Sequence, residues 1–166
     1  MININIGANG RAICAIAFKP REGLQMRFIN FKIDTGADFS TISKKNLYHL
    51  GYDAEWIKAN ATTDETQIIT VASGEQVQNY YIKLPLLNFY GYEALNWPFA
   101  ILLDEKDADD NIVSRDYRPL LGLDLLGGFN FTLDNDNDCF ILARTKTFKR
   151  RRPFFHNQEI HEIHNI

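Results

Sequence analysis

The chain has 166 residues, room for one domain with a sizeable core at about 150 residues per domain, and its 45% hydrophobic and 23% charged content excludes wholesale disorder and a fibrous chain. Charge is unevenly placed: residues 1–143 hold 12 basic and 19 acidic residues, residues 144–166 hold 6 and 2. An acidic body repels phosphate backbones, so nucleic acid is not an expected partner unless the tail alone carries it.

Runs rich in β-branched and aromatic residues predict strands at Ala12–Phe18, Met26–Ile33, Gln67–Val71, Val77–Leu84, Trp97–Leu103 and Phe129–Leu133. Between Ile29 and Ile33 the period is two. Ile29, Phe31 and Ile33 are therefore assigned to one buried face, Asn30 and Lys32 to the other, and the strand ends at Asp34. Ser43 is placed to cap a short helix running through Lys44 and Leu47 to Leu50, with Gly51 stopping it. A second, shorter helix follows Gly122 with Leu123, Leu125 and Leu126, before Gly127 and Gly128 break the pattern. Turn residues predict hairpins near Ser73-Gly74 and at Asn135–Asp138. The segment from Asp104 to Asn111 reads as a solvated acidic connection. These elements give an all-β domain over residues 1–145 with one or two short helices, followed by a basic, His-containing tail over residues 146–166.

Cys14 and Cys139 are too few for a disulfide framework and lack the spacing of a zinc site, so both are expected as reduced core thiols. The N-terminus lacks a basic start followed by an apolar run, and no stretch approaches the roughly 20 apolar residues of a membrane helix. The expectation is a soluble, cytoplasmic protein without a membrane partner.

Asp34-Thr35-Gly36-Ala37, directly after a buried β run, carries the chemistry. The Asp-Thr-Gly pattern alone is weak, since about one chain of this length in a dozen contains an Asp-Thr/Ser-Gly by chance. Its context is what informs: Thr41 and Ile42 follow, then a short helix, and much later Leu120-Leu121-Gly122 opens the segment Leu123-Asp124-Leu125-Leu126. Together these resemble the retropepsin family of aspartic proteases over about residues 11–143. The resemblance implies a retropepsin-like acid protease barrel in which Asp34, Thr35 and Gly36 form the catalytic loop. It also implies a flap hairpin turning near Ala72 to Glu75, and an apolar-apolar-Gly segment packing behind the active loop. Ala37, Ala72, Ser73 and Gly74 are then expected to bind substrate. Only one such tripeptide is present, so the resemblance implies a homodimeric active site on a twofold axis, acting on a peptide or protein substrate without metal or cofactor.

Physical chemistry gives each residue type a reason. Two neighbouring carboxylates hold one proton between them, so one member can act as base and the other as acid. Gly36 is expected to bring a peptide N–H up to Asp34 where a side chain would intrude, and the resemblance implies that the Thr35 hydroxyl reaches the opposite loop. An alternative is a silent retropepsin-like module that binds peptides or dimerises. Asp134-Asn135-Asp136-Asn137-Asp138 opens like a calcium loop, but Cys139 stands where glycine is required and Thr145 where glutamate is, so a polar turn is expected. His156, His161 and His164 read as a solvated tail, and the run Lys149–Arg152 is expected to contact the acidic body of its own chain.

Overall fold

The computed structural model describes residues 1–23, 25–62, 68–70, 74, 76–102, 105–106, 112–113 and 117–145, with backbone alone at 68–70, 76–78, 105–106 and 112–113. The expectations for Ala72, Ser73, the tail histidines and Lys149–Arg152 lie outside the described residues.

Three strands make one small antiparallel sheet: β1 (Ile2–Asn5), β10 (Phe129–Asp134) and β11 (Cys139–Arg144), in the order β1-β11-β10. The alternation of Ile2 and Ile4 with Asn3 and Asn5 puts Ile4 opposite Phe140 and Ile2 opposite Leu142, so one face is apolar. The larger sheet runs β4 (Ile68–Thr70), β5 (Gln76–Phe89), β2 (Ile13–Phe18), β3 (Arg27–Ile33) and β9 (Leu120–Leu121), with β6 (Tyr92–Leu102) paired to β5. Its one parallel pair joins β3 to β9, Lys32 facing Leu120 and Ile33 facing Leu121. The remaining strands, β7 (Glu105–Lys106) and β8 (Ile112–Val113), pair with each other. This pairing corrects the reading of Asp104–Asn111 as a plain connection: Ile112 and Val113 supply a short β-branched run that Glu105 and Lys106 can partner.

Among the described residues the ladders do not close into a barrel. A circuit is instead completed by single bridges at Thr41, parallel to Ala100 on β6 and antiparallel to Leu120 on β9. The core fills the space enclosed. Ile29, Phe31 and Ile33 are buried as their period requires, and the rings of Phe18, Phe31 and Phe99 meet pairwise at centroid distances of 5.6–5.9 Å. Such contacts add to simple burial by about 0.5–1.5 kcal/mol each.

β5 and β6 form one continuous hairpin where the sequence suggested two separate strands. Its turn places Tyr90 and Gly91 at φ 50° and 83° between the paired Phe89 and Tyr92, the two-residue geometry that matches strand twist. Tyrosine there hides the turn from a search for Asn-Gly or Asp-Gly.

Three short helices are present among the described residues, one more than the upper expectation. α1 (Lys44–His49) has Ser43 as its cap, with Ser43 Oγ accepting from the Asn46 N–H and the Asn46 side chain accepting from the Ser43 N–H. Gly51, at φ 84°, carries the chain away. The unexpected α2 (Ala54–Asn60) starts at Asp53, which accepts from the Trp56 N–H and pairs with Arg21. Those two partners, the Trp56 N–H first, hold the Asp53 carboxyl below its usual range. Its contribution to stability is therefore present above the ordinary aspartate value and fades as pH falls through the lowered one. α3 (Leu123–Leu126) follows Gly122 as expected.

Asn135–Asp138 form the turn between β10 and β11. Asp134 closes it by accepting from the Asp136 and Asn137 N–H groups and from the Asn137 side-chain amide.

Removing the Ser43 hydroxyl as Ser43→Ala takes away the acceptor of the Asn46 N–H at a buried position while the Ser43 N–H keeps its bond to the Asn46 side chain, and urea unfolding is expected to show a loss of about 1 kcal/mol. Cys14 and Cys139 are free and buried, and burial pushes the Cys14 thiol up to about 12. Maleimide labelling of the native protein at pH 8, located by peptide mapping, should therefore leave Cys14 unmodified until the chain is unfolded.

Candidate active site

Asp34 follows the last residue of β3, a strand held on both sides. The Asp34 N–H donates to Leu121 O at 3.0 Å, Ile33 N–H to Ala12 O at 2.9 Å and Lys32 N–H to Pro119 O at 2.9 Å. The carboxylate thus leaves a fixed stem. Its Oδ1 accepts from the Gly36 N–H at 3.1 Å and its Oδ2 lies 3.1 Å from the Lys32 ammonium. The turn is closed by the Ala37 N–H donating back to Asp34 O at 3.2 Å.

Asp34, Thr35, Gly36 and Ala37 are therefore gathered in one turn, with Thr35 and Gly36 exposed and Asp34 and Ala37 half-buried. Gly74 is at φ 84° beside the β4–β5 pairing, and a methyl built on it would meet nothing within 4 Å. The two strands of the hairpin predicted there are paired, Thr70 facing Gln76. Ala72 and Ser73 lie outside the described residues.

Below the turn, residues 37–42 cross residues 120–124. Leu123 N–H donates to Ala37 O at 2.8 Å, Asp124 N–H to Asp38 O at 3.2 Å and Thr41 N–H to Leu120 O at 2.9 Å. Thr41 Oγ1 accepts from the Leu120 N–H at 3.1 Å. Asp124, only 2% exposed, receives the Ser40 N–H at 2.9 Å and the Ser40 hydroxyl at 2.6 Å on the same oxygen, while Ser40 Oγ accepts from the Gly122 N–H at 3.1 Å. A buried carboxylate is tolerable only when its lone pairs are satisfied in this way.

Gly122 makes the crossing possible. A Cβ there would stand 2.5 Å from the Phe39 carbonyl carbon, 2.6 Å from its oxygen and 2.9 Å from Ala37 O. The steric demand expected at Gly36 belongs here. At Gly36 a Cβ would meet only Asp34 Oδ1, at 3.4 Å, so in this chain the intrusion predicted for a side chain does not occur.

Three participants escaped sequence reading. Asp124 stood only as part of the segment after Gly122, and Ser40 carried no reading. Their pairing spans 84 positions and leaves no local signal. Lys32 was assigned to the polar face of β3, which is correct; the same period of two puts it on the face shared by Asp34, and that consequence was available. A fourth contact joins the loop to the hairpin: the rings of Phe39 and Tyr81 meet edge-on at 6.0 Å, so the aromatic next to the crossing braces β5.

Among the described residues no group of three or more His, Cys, Asp or Glu could hold a metal ion, and no helix is long and apolar enough to cross a membrane.

No family model matches the sequence, and no curated protein sequence matches it. The chain is similar in structure to a retropepsin-like aspartic protease from Rickettsia conorii, with a TM-score of 0.55 and 22% identity, over 85% of this chain and 88% of that one. The fold is thus retropepsin-like, with a mostly β architecture and few short helices.

The crossing generates a paired prediction. Gly122→Ala forces backbone atoms apart and should cost about 3 kcal/mol or more in denaturant unfolding. Gly36→Ala, whose methyl has room, should stay within about 1 kcal/mol of the parent.

Proposed function

We propose that this chain is an aspartic endopeptidase that hydrolyses peptide bonds as a homodimer, with Asp34 of each subunit forming the catalytic pair. The observation that carries the reading is the Asp34 carboxylate itself. It is partly exposed, fixed through Gly36 and its backbone, and displayed on a retropepsin-like fold.

One subunit supplies one such carboxylate, so the twofold dimer completes the site. Two carboxylates brought face to face share one proton. The ionised member takes a proton from a water molecule, whose oxygen bonds to the scissile carbonyl carbon. The protonated member donates to the carbonyl oxygen, on which charge develops. Collapse of the tetrahedral intermediate breaks the C–N bond, the amine leaves with a proton, and the pair returns to its shared-proton state.

In this reading Thr35 and Gly36, exposed in the single subunit, face the partner's loop, and the Thr35 hydroxyl ties the two turns together. Ala37 and the Ala72-Ser73-Gly74 tip of the β4–β5 hairpin contact the substrate backbone. Two free buried cysteines suit a cytoplasmic setting, where thiols stay reduced.

The test is cleavage of a mixed peptide library at mildly acidic and neutral pH by wild type and by Asp34→Asn, with sedimentation recording the assembly state. Wild type is expected to cleave as a dimer, and the variant to remain a dimer with activity reduced at least 10³-fold, within the range that acid–base groups contribute. Equal silence of both as folded dimers would replace this reading with a peptide-binding or dimerisation module.

A further inference from the structure

Lys32 precedes Asp34 by two residues on β3, so the two side chains leave the same face of the strand, opposite to Ile29, Phe31 and Ile33. Its ammonium lies 3.1 Å from Asp34 Oδ2, while Gly36 occupies Oδ1. Both oxygens of the carboxylate are therefore engaged in the single subunit. The pair is only partly covered, with 36% of the Lys32 side chain and 29% of the Asp34 side chain exposed. Partly exposed ion pairs of this kind contribute little net stability and exchange partners readily.

If Asp34 acts on a peptide bond, as proposed above, an ammonium 3.1 Å from its carboxylate has to lie beside the residues that flank that bond. Consecutive Cα atoms of an extended peptide are about 3.8 Å apart, so the nearest side chains on either side come within reach of a lysine head. Chemistry also requires Oδ2 to meet water or a proton, because the Gly36 N–H already holds Oδ1. The ammonium must then leave Oδ2, and a half-covered cation that loses its anion needs another. With one Lys32 per subunit, a twofold dimer offers such a cation on each side of the scissile bond.

We infer that Lys32 is a specificity-determining residue that selects peptides carrying Asp or Glu next to the scissile bond. The substrate carboxylate takes the ammonium away from Asp34 Oδ2, so binding the right side chain also frees the oxygen that the reaction uses. A substrate without an acidic neighbour leaves Lys32 on Asp34 and turns over slowly. The inference rests on the proteolytic reading and adds to it a substrate class.

Matched peptides differing only in Glu, Gln, Leu or Lys at the two positions flanking the bond test it, with kcat/KM measured for wild type, Lys32→Met, Lys32→Gln and Lys32→Glu. Wild type should favour Glu over its isostere Gln by roughly ten-fold, a ratio that an ionic contact can supply. Both neutral variants should bring that ratio close to one, and Lys32→Glu should shift preference to the Lys peptide. A Glu/Gln ratio of one or below in wild type overturns the inference, whatever the variants do. So does a ratio that survives in both neutral variants. If wild type cleaves no peptide of the series or of a mixed library and matches Asp34→Asn, the proteolytic reading itself has failed and the inference falls with it. Cleavage without the acidic preference removes the inference alone.

Discussion

The structure depends on two backbone segments touching where no side chain fits. Residues 37–42 and 120–124 approach so closely at Gly122 that the Phe39 carbonyl occupies the volume of a Cβ. That proximity lets Leu123 N–H reach Ala37 O and Asp124 N–H reach Asp38 O, and it brings the Asp124 carboxylate within range of Ser40. Burying the Asp124 carboxylate would be costly alone; with the Ser40 N–H and hydroxyl aimed at one oxygen it becomes a clamp. The clamp acts on the segment immediately after the Asp34 turn. β9 acts on the segment immediately before it, through the hydrogen bonds to Lys32 and Asp34. Asp34 is thus held from both ends by one stretch of chain, 119–124, and the geometry of the turn is set by packing well away from its exposed tip.

The same stretch ties the turn to the rest of the sheet. Thr41 is bridged to Leu120 on one side and Ala100 on the other, and the Tyr117 hydroxyl donates to Ile42 O at 2.6 Å while accepting from the Leu102 N–H at 3.0 Å. β6 therefore reports to the Asp34 loop through backbone contacts. Its partner β5 does so through the Phe39–Tyr81 rings.

What was legible in the sequence was local. The period of two in Ile29-Phe31-Ile33, the Ser43 cap, the end of β3 at Asp34 and the helix after Gly122 each follow from residues within a few positions of one another, and the structure contains them. β1 and α2 carried equally local signals, the Ile-Asn alternation and Asp53 ahead of Trp56 and Ile57, and were passed over. The Tyr90-Gly91 turn lacked a usual signature because a non-glycine residue holds positive φ there. The resemblance implied that Leu120-Leu121-Gly122 packs behind the Asp34 loop, and it does; which atoms meet there, the Asp124–Ser40 clamp and the clash at Gly122, depends on contacts between distant segments that no local pattern carries. The misplacement of the glycine constraint shows the difference: Gly36 looked indispensable from its motif, whereas the clash falls at Gly122.

The Asp34 carboxylate of this chain is already satisfied, by a peptide N–H on one oxygen and an ammonium on the other. An aspartate so engaged has no electrostatic need of a second carboxylate, and two such groups brought together would repel unless a proton or a cation lay between them. In the chain itself Lys32 is the cation beside Asp34. On the proposed reading, assembly and substrate binding must together replace an ammonium by a shared proton, a trade that is feasible because the Lys32–Asp34 pair is half-exposed and weakly held. Had the pair been fully buried, separating it would have left an uncompensated charge in a poor dielectric, at several kcal/mol. The partial exposure of these two side chains is what makes the turn of Asp34 suited to changing partners.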